Sequence, residues 1–378
     1  MTATVTDDDE VAAAEVAVRW PLAGAQLSRL SGGLINQTFA AVRDGEPLAV
    51  LQALHPAFGA EVNLDIEALT LHLADRGMHT PRLLRTVDGA AWVSHQDRIW
   101  RALSWVEGRS VGRVPDPSWA EAGGALVGQF HRAVADFSHE YRFTRGNVHD
   151  TPRYLARLRD LLAEPVPAGA DRLAAGSEAG SEAGSEAGSE DAGPSDWRAQ
   201  ALELAHQLLS VPLPALPETA RRHCHGDLKI SNLMFSAGPP VVGRALVDLD
   251  TISLGTMAFE LGDAMRSWCN PCGEDQVTAS FELPVFAAAM RGFRGQADAL
   301  LGDAERLSIA CGLQTVCVEL AARFCIDVFE DRYFGWNPAR YSSRRAHNLV
   351  RAQGQLSLAR SVATRFDDVV ALACGALP

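Results

Sequence analysis

The stretch His225-Gly226-Asp227-Leu228-Lys229-Ile230-Ser231-Asn232 places three chemically distinct groups at short, fixed spacing. A carboxylate on a rigid loop, Asp227, can accept or orient the proton of an attacking hydroxyl. The ammonium two residues on, Lys229, can reach developing negative charge. The amide of Asn232, five residues after the Asp, can turn back towards a metal ion.

A second carboxylate completes the pattern. Ala245-Leu246-Val247-Asp248-Leu249-Asp250 reads as an apolar strand that ends in acids. Leu233-Met234-Phe235, the turn Ala237-Gly238-Pro239-Pro240 and the run 241–247 predict a hairpin that returns Asp248 to the side of Asn232. Mg²⁺ asks for few protein oxygens beside those of phosphates, so Asn232 and Asp248 suffice for it together with ATP. Asp250 is then either a second ligand or a residue that holds the loop. The order H-x-D-x-K-x-x-N followed by such an Asp is that of kinase catalytic loops. His225 reads as a brace, hydrogen-bonded within the loop, and not as a catalytic group. Further upstream, Ser31-Gly32-Gly33-Leu34-Ile35-Asn36-Gln37-Thr38-Phe39 is a Gly-containing turn inside a hairpin. Its backbone N–H groups could lie over phosphates, which makes Gly32, Gly33 and Asn36 nucleotide-binding candidates. The same composition also suits an ordinary turn.

The surroundings of these motifs predict an α+β, protein-kinase-like fold of two lobes. Residues 1–18 read as a flexible tail or frayed helix. Residues 19–107 are strand-rich and form the expected nucleotide-binding lobe: Thr38–Val42 and Leu48–Leu51 flank a turn, Asn63–Arg76 is one amphipathic helix, and Trp92–Ser94 and Ile99–Leu103 return to strand. From residue 108 to 378 the pattern is mainly helical, giving a catalytic and substrate lobe. It is interrupted at about 165–195 by a Gly-Ser-Glu-Ala repeat that buries nothing and is expected to be a disordered insertion. The formal net charge of −13 is partly local, since Asp7–Glu10 supply four acids and Glu178, Glu182, Glu186, Glu190 and Asp191 five more. The mildly acidic remainder argues against nucleic acid or an anionic membrane as a partner. No apolar run reaches the length needed to span a bilayer and no secretory signal opens the chain, so a cytoplasmic protein is expected. Seven cysteines, none before residue 224, do not suggest a disulfide framework. Cys269-Asn270-Pro271-Cys272 has C-x-x-C spacing without a second pair, which is weak evidence for zinc or redox chemistry.

At these residues the chain resembles the aminoglycoside phosphotransferase-like kinases, and within them the N-acetylhexosamine 1-kinase branch, over roughly residues 28–363. HGDLKISNLMF, LVDLDTISLGT and FELGDAMR are similar to that branch's central motifs. GGLINQTF resembles its GGHINDTY loop, VLQALHPAF its small-lobe strand, VHDTPRYL its FHDTP segment, and ARFCIDVFEDRYF with HNLVRAQGQLSLARSV its two C-terminal blocks. The resemblance implies ATP and Mg²⁺ as cofactors and transfer of the γ-phosphoryl group to the anomeric hydroxyl of an N-acetylated hexosamine. It puts Arg323, Tyr333 and Asp250 with the sugar, and Leu103 and Trp105 in the connector that meets adenine. It also implies that Gln52 stands where most kinases carry a phosphate-pairing lysine, leaving more of that work to Lys229. Two departures bear on the acceptor: Leu34 replaces the branch's loop histidine, and the segment from Arg323 to Tyr333 is one residue short. An aminoglycoside, choline or homoserine acceptor is the competing reading. A cationic acceptor needs carboxylates in the cleft, and Glu260, Asp263, Glu274, Asp275 and Glu282 are available in sequence.

Overall fold

The structure, a computed structural model, describes residues 7–30, 36–144, 146, 148–164 and 196–375. The Gly-Ser-Glu-Ala stretch and the Gly32-Gly33 pair lie outside these residues.

Residues 7–17, expected as a tail or a frayed helix, form α1 (Asp7–Ala17) and join the small lobe. The reason is spacing. Ala12, Ala13, Val16 and Ala17 share one helical face and are buried with Trp20 against Phe39, Leu51 and Trp100. Asp9 fixes the helix further by accepting from Gln37 Nε2 (2.8 Å). The sheet follows: β1 (Gln26–Arg29), β2 (Gln37–Arg43), β3 (Glu46–Ala53), then α2 (Val62–Asp75), β4 (Leu83–Leu84), β5 (Val93–His95) and β6 (Arg98–Ser104). All pairings are antiparallel, in the order β1-β2-β3-β6-β4 with β5 on the other end of β6. The register sets Gln52 opposite Arg101, so two long polar side chains meet in an otherwise apolar sheet.

The large lobe begins with α3 (Pro117–Ala133), α4 (Thr151–Ala163) and α5 (Asp196–Leu209). Asp116 and Asp150 cap α3 and α4, each followed by a proline in the first turn. Then come β7 (Arg222–Cys224), β8 (Leu233–Phe235), β9 (Gly243–Leu246), β10 (Ser253–Gly255), α6 (Met257–Trp268), α7 (Leu283–Ala297), α8 (Asp303–Glu330), α9 (Arg344–Ala363) and α10 (Phe366–Cys374). Helix α8 is the axle of this lobe and packs on α4, α5, α6, α9 and α10. By length and composition α8 could cross a bilayer, contrary to the expectation that no run qualifies. With 89% of that stretch buried inside the fold, its apolarity is that of a core helix. It crosses α6 in backbone contact: a Cβ placed on Gly312 would stand 1.9 Å from the carbonyl oxygen of Ala258. All seven cysteines are free; Cys269 is buried and Cys272 exposed, and no metal-holding cluster of His, Cys, Asp or Glu occurs among the described residues.

Candidate active site

The octapeptide sits between two short antiparallel pairs. β7 with β10 holds its beginning, and β8 with β9 anchors its end at Asn232. Gly226 has φ +81°, and a Cβ there would lie 2.6 Å from Thr251 O, so a residue with a side chain would be both strained and obstructed. His225 is fully buried and braces the loop as expected: its Nε2 donates to Val247 O (2.9 Å) and its Nδ1 accepts from Asp227 N (3.3 Å). Sequence reasoning missed the partner beneath it. Glu260 of α6 accepts from the amides of His225 (2.8 Å) and Gly226 (3.0 Å) and lies 3.3 Å from His131 Nε2. Burial opposes the Glu260 charge, but His131, His225 and the amide contact outweigh it and hold the carboxyl below its ordinary range. The signal was present as an acid one turn into an apolar helix. Removing one member of such a buried set costs about 3–5 kcal/mol. Glu260→Ala is therefore expected to lower unfolding free energy by about that amount, as chemical denaturation would measure.

The two expected catalytic residues, Asp227 and Lys229, and the two expected metal ligands, Asn232 and Asp248, come together. Lys229 Nζ donates to Asp227 Oδ2 (3.1 Å), and Asn232 Nδ2 donates to Asp227 O (2.8 Å) and Oδ2 (3.3 Å). Burial would lower the Lys229 pKa, yet the adjacent Asp227 overrides it and keeps the ammonium charged. The hairpin β8–β9 pairs Leu233 with Leu246, and Val247 N donates to Asn232 O (2.9 Å). Asp248 thus arrives beside Asn232 with its backbone left-handed, at φ 64° and ψ 55°. Surrounding protein, then Asp250 and Asp227, push the Asp248 carboxyl up to about 7. Its side chain opens to solvent, which tempers the first of these causes and leaves the neighbouring carboxylates as the firmer one. An exposed acid set against two others, with an amide oxygen alongside, suits a divalent cation.

The small-lobe candidates fall elsewhere. Arg101 of β6, 1% exposed, forms a buried ion pair with Asp250, with Nη2 2.9 Å from Oδ2 and Nη1 on Oδ1. Gln52 Oε1 accepts from Arg101 Nε (2.9 Å) and Nη2 (2.8 Å), while Gln52 Nε2 donates to Thr38 Oγ1 (3.1 Å). Asn36 Nδ2 donates to Asp250 Oδ2 (2.6 Å), and its Oδ1 accepts from His55 N (2.9 Å). Asn36 and Gln52, expected at the nucleotide, instead have both ends of their amides engaged in a network joining the lobes. Asp250, expected at the sugar or as a loop-holding residue, is 2% exposed and makes loop-holding contacts to Arg101 and Asn36. Leu103 packs with Leu83 and Ala91, and at this residue β6 is paired with β3 on one side and β4 on the other. Trp105 lines a cavity of about 1240 Å³ with Glu107, Arg132 and Arg244, and none of Asp227, Lys229, Asn232 or Asp248 borders it.

The acceptor candidates lie on α6, α8 and the segments that follow them. Asp263 and Glu274 both contact Arg266, at 2.6 and 2.9 Å, and both act electrostatically on Lys229. His149 reaches Glu319 of α8 (2.8 Å), and Arg323 follows one turn later. The Arg323 guanidinium lies 5.4 Å from the ring centre of Tyr154, 5.8 Å from that of Tyr333 and 5.5 Å from that of Phe334. Among the described residues it has no carboxylate partner. Tyr333 is held in place by Asp327, which accepts from the amides of Arg332, Tyr333 and Phe334 at 3.0, 2.8 and 2.8 Å. Buried Asp327 was not predicted, although an acid within the apolar stretch of α8 was its visible sign.

A sheet-built lobe and a helical lobe, the latter carrying a loop with carboxylate, ammonium and amide and a second carboxylate returned by a hairpin, define a kinase-like phosphotransferase. The profile of the phosphotransferase enzyme family matches residues 26–293, and the chain belongs to that family. Similar folds occur in a microcompartment-associated aminopropanol kinase (15% identity, TM-score 0.60, 95% of this chain and 98% of that one). They occur also in the amicoumacin kinase hAmiN, solved with AMP-PNP, Ca²⁺ and Ami (13%, 0.58, 93% of each chain). A third is an aminoglycoside phosphotransferase from Alicyclobacillus acidocaldarius (16%, 0.54, 97% and 98%). This chain is accordingly a phosphotransferase of kinase-like fold.

Proposed function

We propose that this chain transfers the γ-phosphoryl group of ATP to the anomeric hydroxyl of an N-acetylated hexosamine (N-acetylglucosamine, N-acetylgalactosamine or N-acetylmuramic acid), with Mg²⁺ held by Asn232 and Asp248. Asp227 accepts the proton of the acceptor hydroxyl. Lys229 neutralises charge on the phosphoryl oxygens, and the metal, when bound, supplies further charge neutralisation.

The observation that carries the acceptor class is the state of the acids on and after α6. Of the five acids named for a cationic acceptor, Glu260 holds the loop amides, Asp263 and Glu274 share Arg266, and Asp275 is engaged by His347 (2.8 Å) and Arg351 (2.9 Å), while exposed Glu282 makes no ion pair among the described residues. A cationic acceptor would have to displace these partners. Tyr154, Tyr333 and Phe334 do resemble a box for a quaternary or primary ammonium. Arg323 already fills it with a cation belonging to the chain. Such a guanidinium suits the hydroxyl, acetamido or carboxylate oxygens of a sugar. The kinases of aminopropanol and of aminoglycosides act on amine-bearing acceptors, and they share only the fold with this chain.

A coupled ATPase assay across N-acetylhexosamines, aminoglycosides, choline and homoserine tests this, with NMR of the product locating the phosphate. Turnover is expected on the sugars, at C1. Arg323→Ala should raise the acceptor KM by about tenfold or more, equivalent to about 1.4 kcal/mol, with the KM for ATP unchanged. Turnover confined to the amines would overturn the acceptor assignment while leaving the phosphotransferase class intact.

A further inference from the structure

We infer that Arg101 is a positioning residue: from the small lobe it fixes the Asp248–Asp250 turn in its metal-binding shape, and Gln52 is the neutral support that makes this possible. The inference rests on the reading of Asp248 as a metal ligand. Its evidence is the hydrogen-bonding of one side chain. A guanidinium has five N–H donors. Those of Arg101 meet Asp250 Oδ1 and Oδ2, Gln52 Oε1 twice, and Asn63 Oδ1 at 3.5 Å. None is left over for a phosphate. The charge that this small lobe contributes near the cleft is therefore directed at a carboxylate of the large lobe.

The geometry at Asp248 needs such a hold. A non-glycine residue at φ 64° persists when its surroundings over-determine it. Asp250, two residues on, is gripped by Arg101 and Asn36 from the small lobe, and Thr251 Oγ1 donates to His225 O (2.8 Å) from the large one. The short turn Leu249–Thr251 is thus anchored from both sides. Fully buried ion pairs contribute little net stability because desolvation offsets attraction, so the role of this pair is in shape. The absence of a lysine at position 52 then has a physical reason. An ammonium there would replace the carbonyl oxygen that accepts two Arg101 bonds with a like charge.

Two variants test the inference. Arg101→Met/Asp250→Asn removes both charges together and avoids leaving one buried alone. Hydrogen exchange of residues 248–252 is read in the nucleotide-free protein, and the metal concentration for half-maximal turnover is read beside it. The expected result is exchange at least about tenfold faster in that turn, with unchanged protection in α8, and a metal requirement raised about tenfold or more. A folded double variant with wild-type exchange in the turn and a wild-type metal requirement overturns the inference. Gln52→Lys keeps the ion pair's own atoms and serves if the double variant does not fold. It is expected to show the same faster exchange and raised metal requirement, whereas unchanged or improved ATP use would mean that position 52 is an ordinary phosphate-pairing site. Because exchange is measured without nucleotide, metal or acceptor, a failure of the proposed sugar activity would leave this result readable.

Discussion

Asp227→Asn is expected to lower kcat by about 10²–10⁴-fold while ATP binding and thermal unfolding stay near those of the unaltered chain. The asparagine is nearly isosteric and keeps an oxygen for Lys229 Nζ and Asn232 Nδ2, the two donors that now meet Asp227. The loop is also held independently, by Glu260 under the His225 and Gly226 amides and by His225 on Val247. Only the ability to take a proton is removed. Single-turnover kinetics with ATP and a responsive acceptor, paired with nucleotide titration, separates the two effects. A loss below about tenfold would mean that Asp227 orients the hydroxyl and that the proton leaves by another route.

Gly312→Leu is expected to damage the fold severely, lowering unfolding free energy by about 3 kcal/mol or more. The first carbon of any side chain at 312 would stand 1.9 Å from Ala258 O, and one at Gly262 would stand 2.7 Å from Gly312 C. The obstacle in each case is main chain, which cannot swing aside as a side chain can. Relief requires α6 to move off α8, and α6 carries Glu260, Asp263 and Arg266. Activity should therefore fall with stability, in contrast to Asp227→Asn. Urea unfolding and acceptor kinetics on the same sample check both halves. A change under about 1 kcal/mol would show that the two helices can part without disturbing the lobe.

The large-lobe half of the site was legible because it is local. Asp227, Lys229, Asn232 and Asp248 lie within a loop and one hairpin, so spacing and turn chemistry were enough to bring them together. The order of strands and helices was legible for the same reason, from alternation in β2 and β3 and from the periodicity of α2. What sequence could not supply was the partner of a long side chain across the fold. Asn36 and Gln52 look like cleft residues until Arg101 is seen to occupy them, and that depends on the β3–β6 register and on a contact 149 residues away in the chain, from Arg101 to Asp250. Glu260 and Asp327 were visible only as acids in apolar helices, a sign that says "paired" without saying to what. The packing of α1 was not foreseen because its alanines bury little area each and give a weak periodic signal, although together they pack on residues of β2, β3 and β6.

Glu319, Arg323 and Asp327 stand four residues apart along α8, each a different instrument: one anchors the segment at His149, one faces the aromatic box, one sets the height of Tyr333. They are marks on a single rod. A one-residue insertion or deletion upstream within α8 would turn all three by about 100° together and break the contacts that each makes. Under the proposed role of Arg323, acceptor choice is inherited as a phase. Single substitutions can retune it position by position, but the length of α8 between Gly312 and Glu319 cannot drift without erasing it.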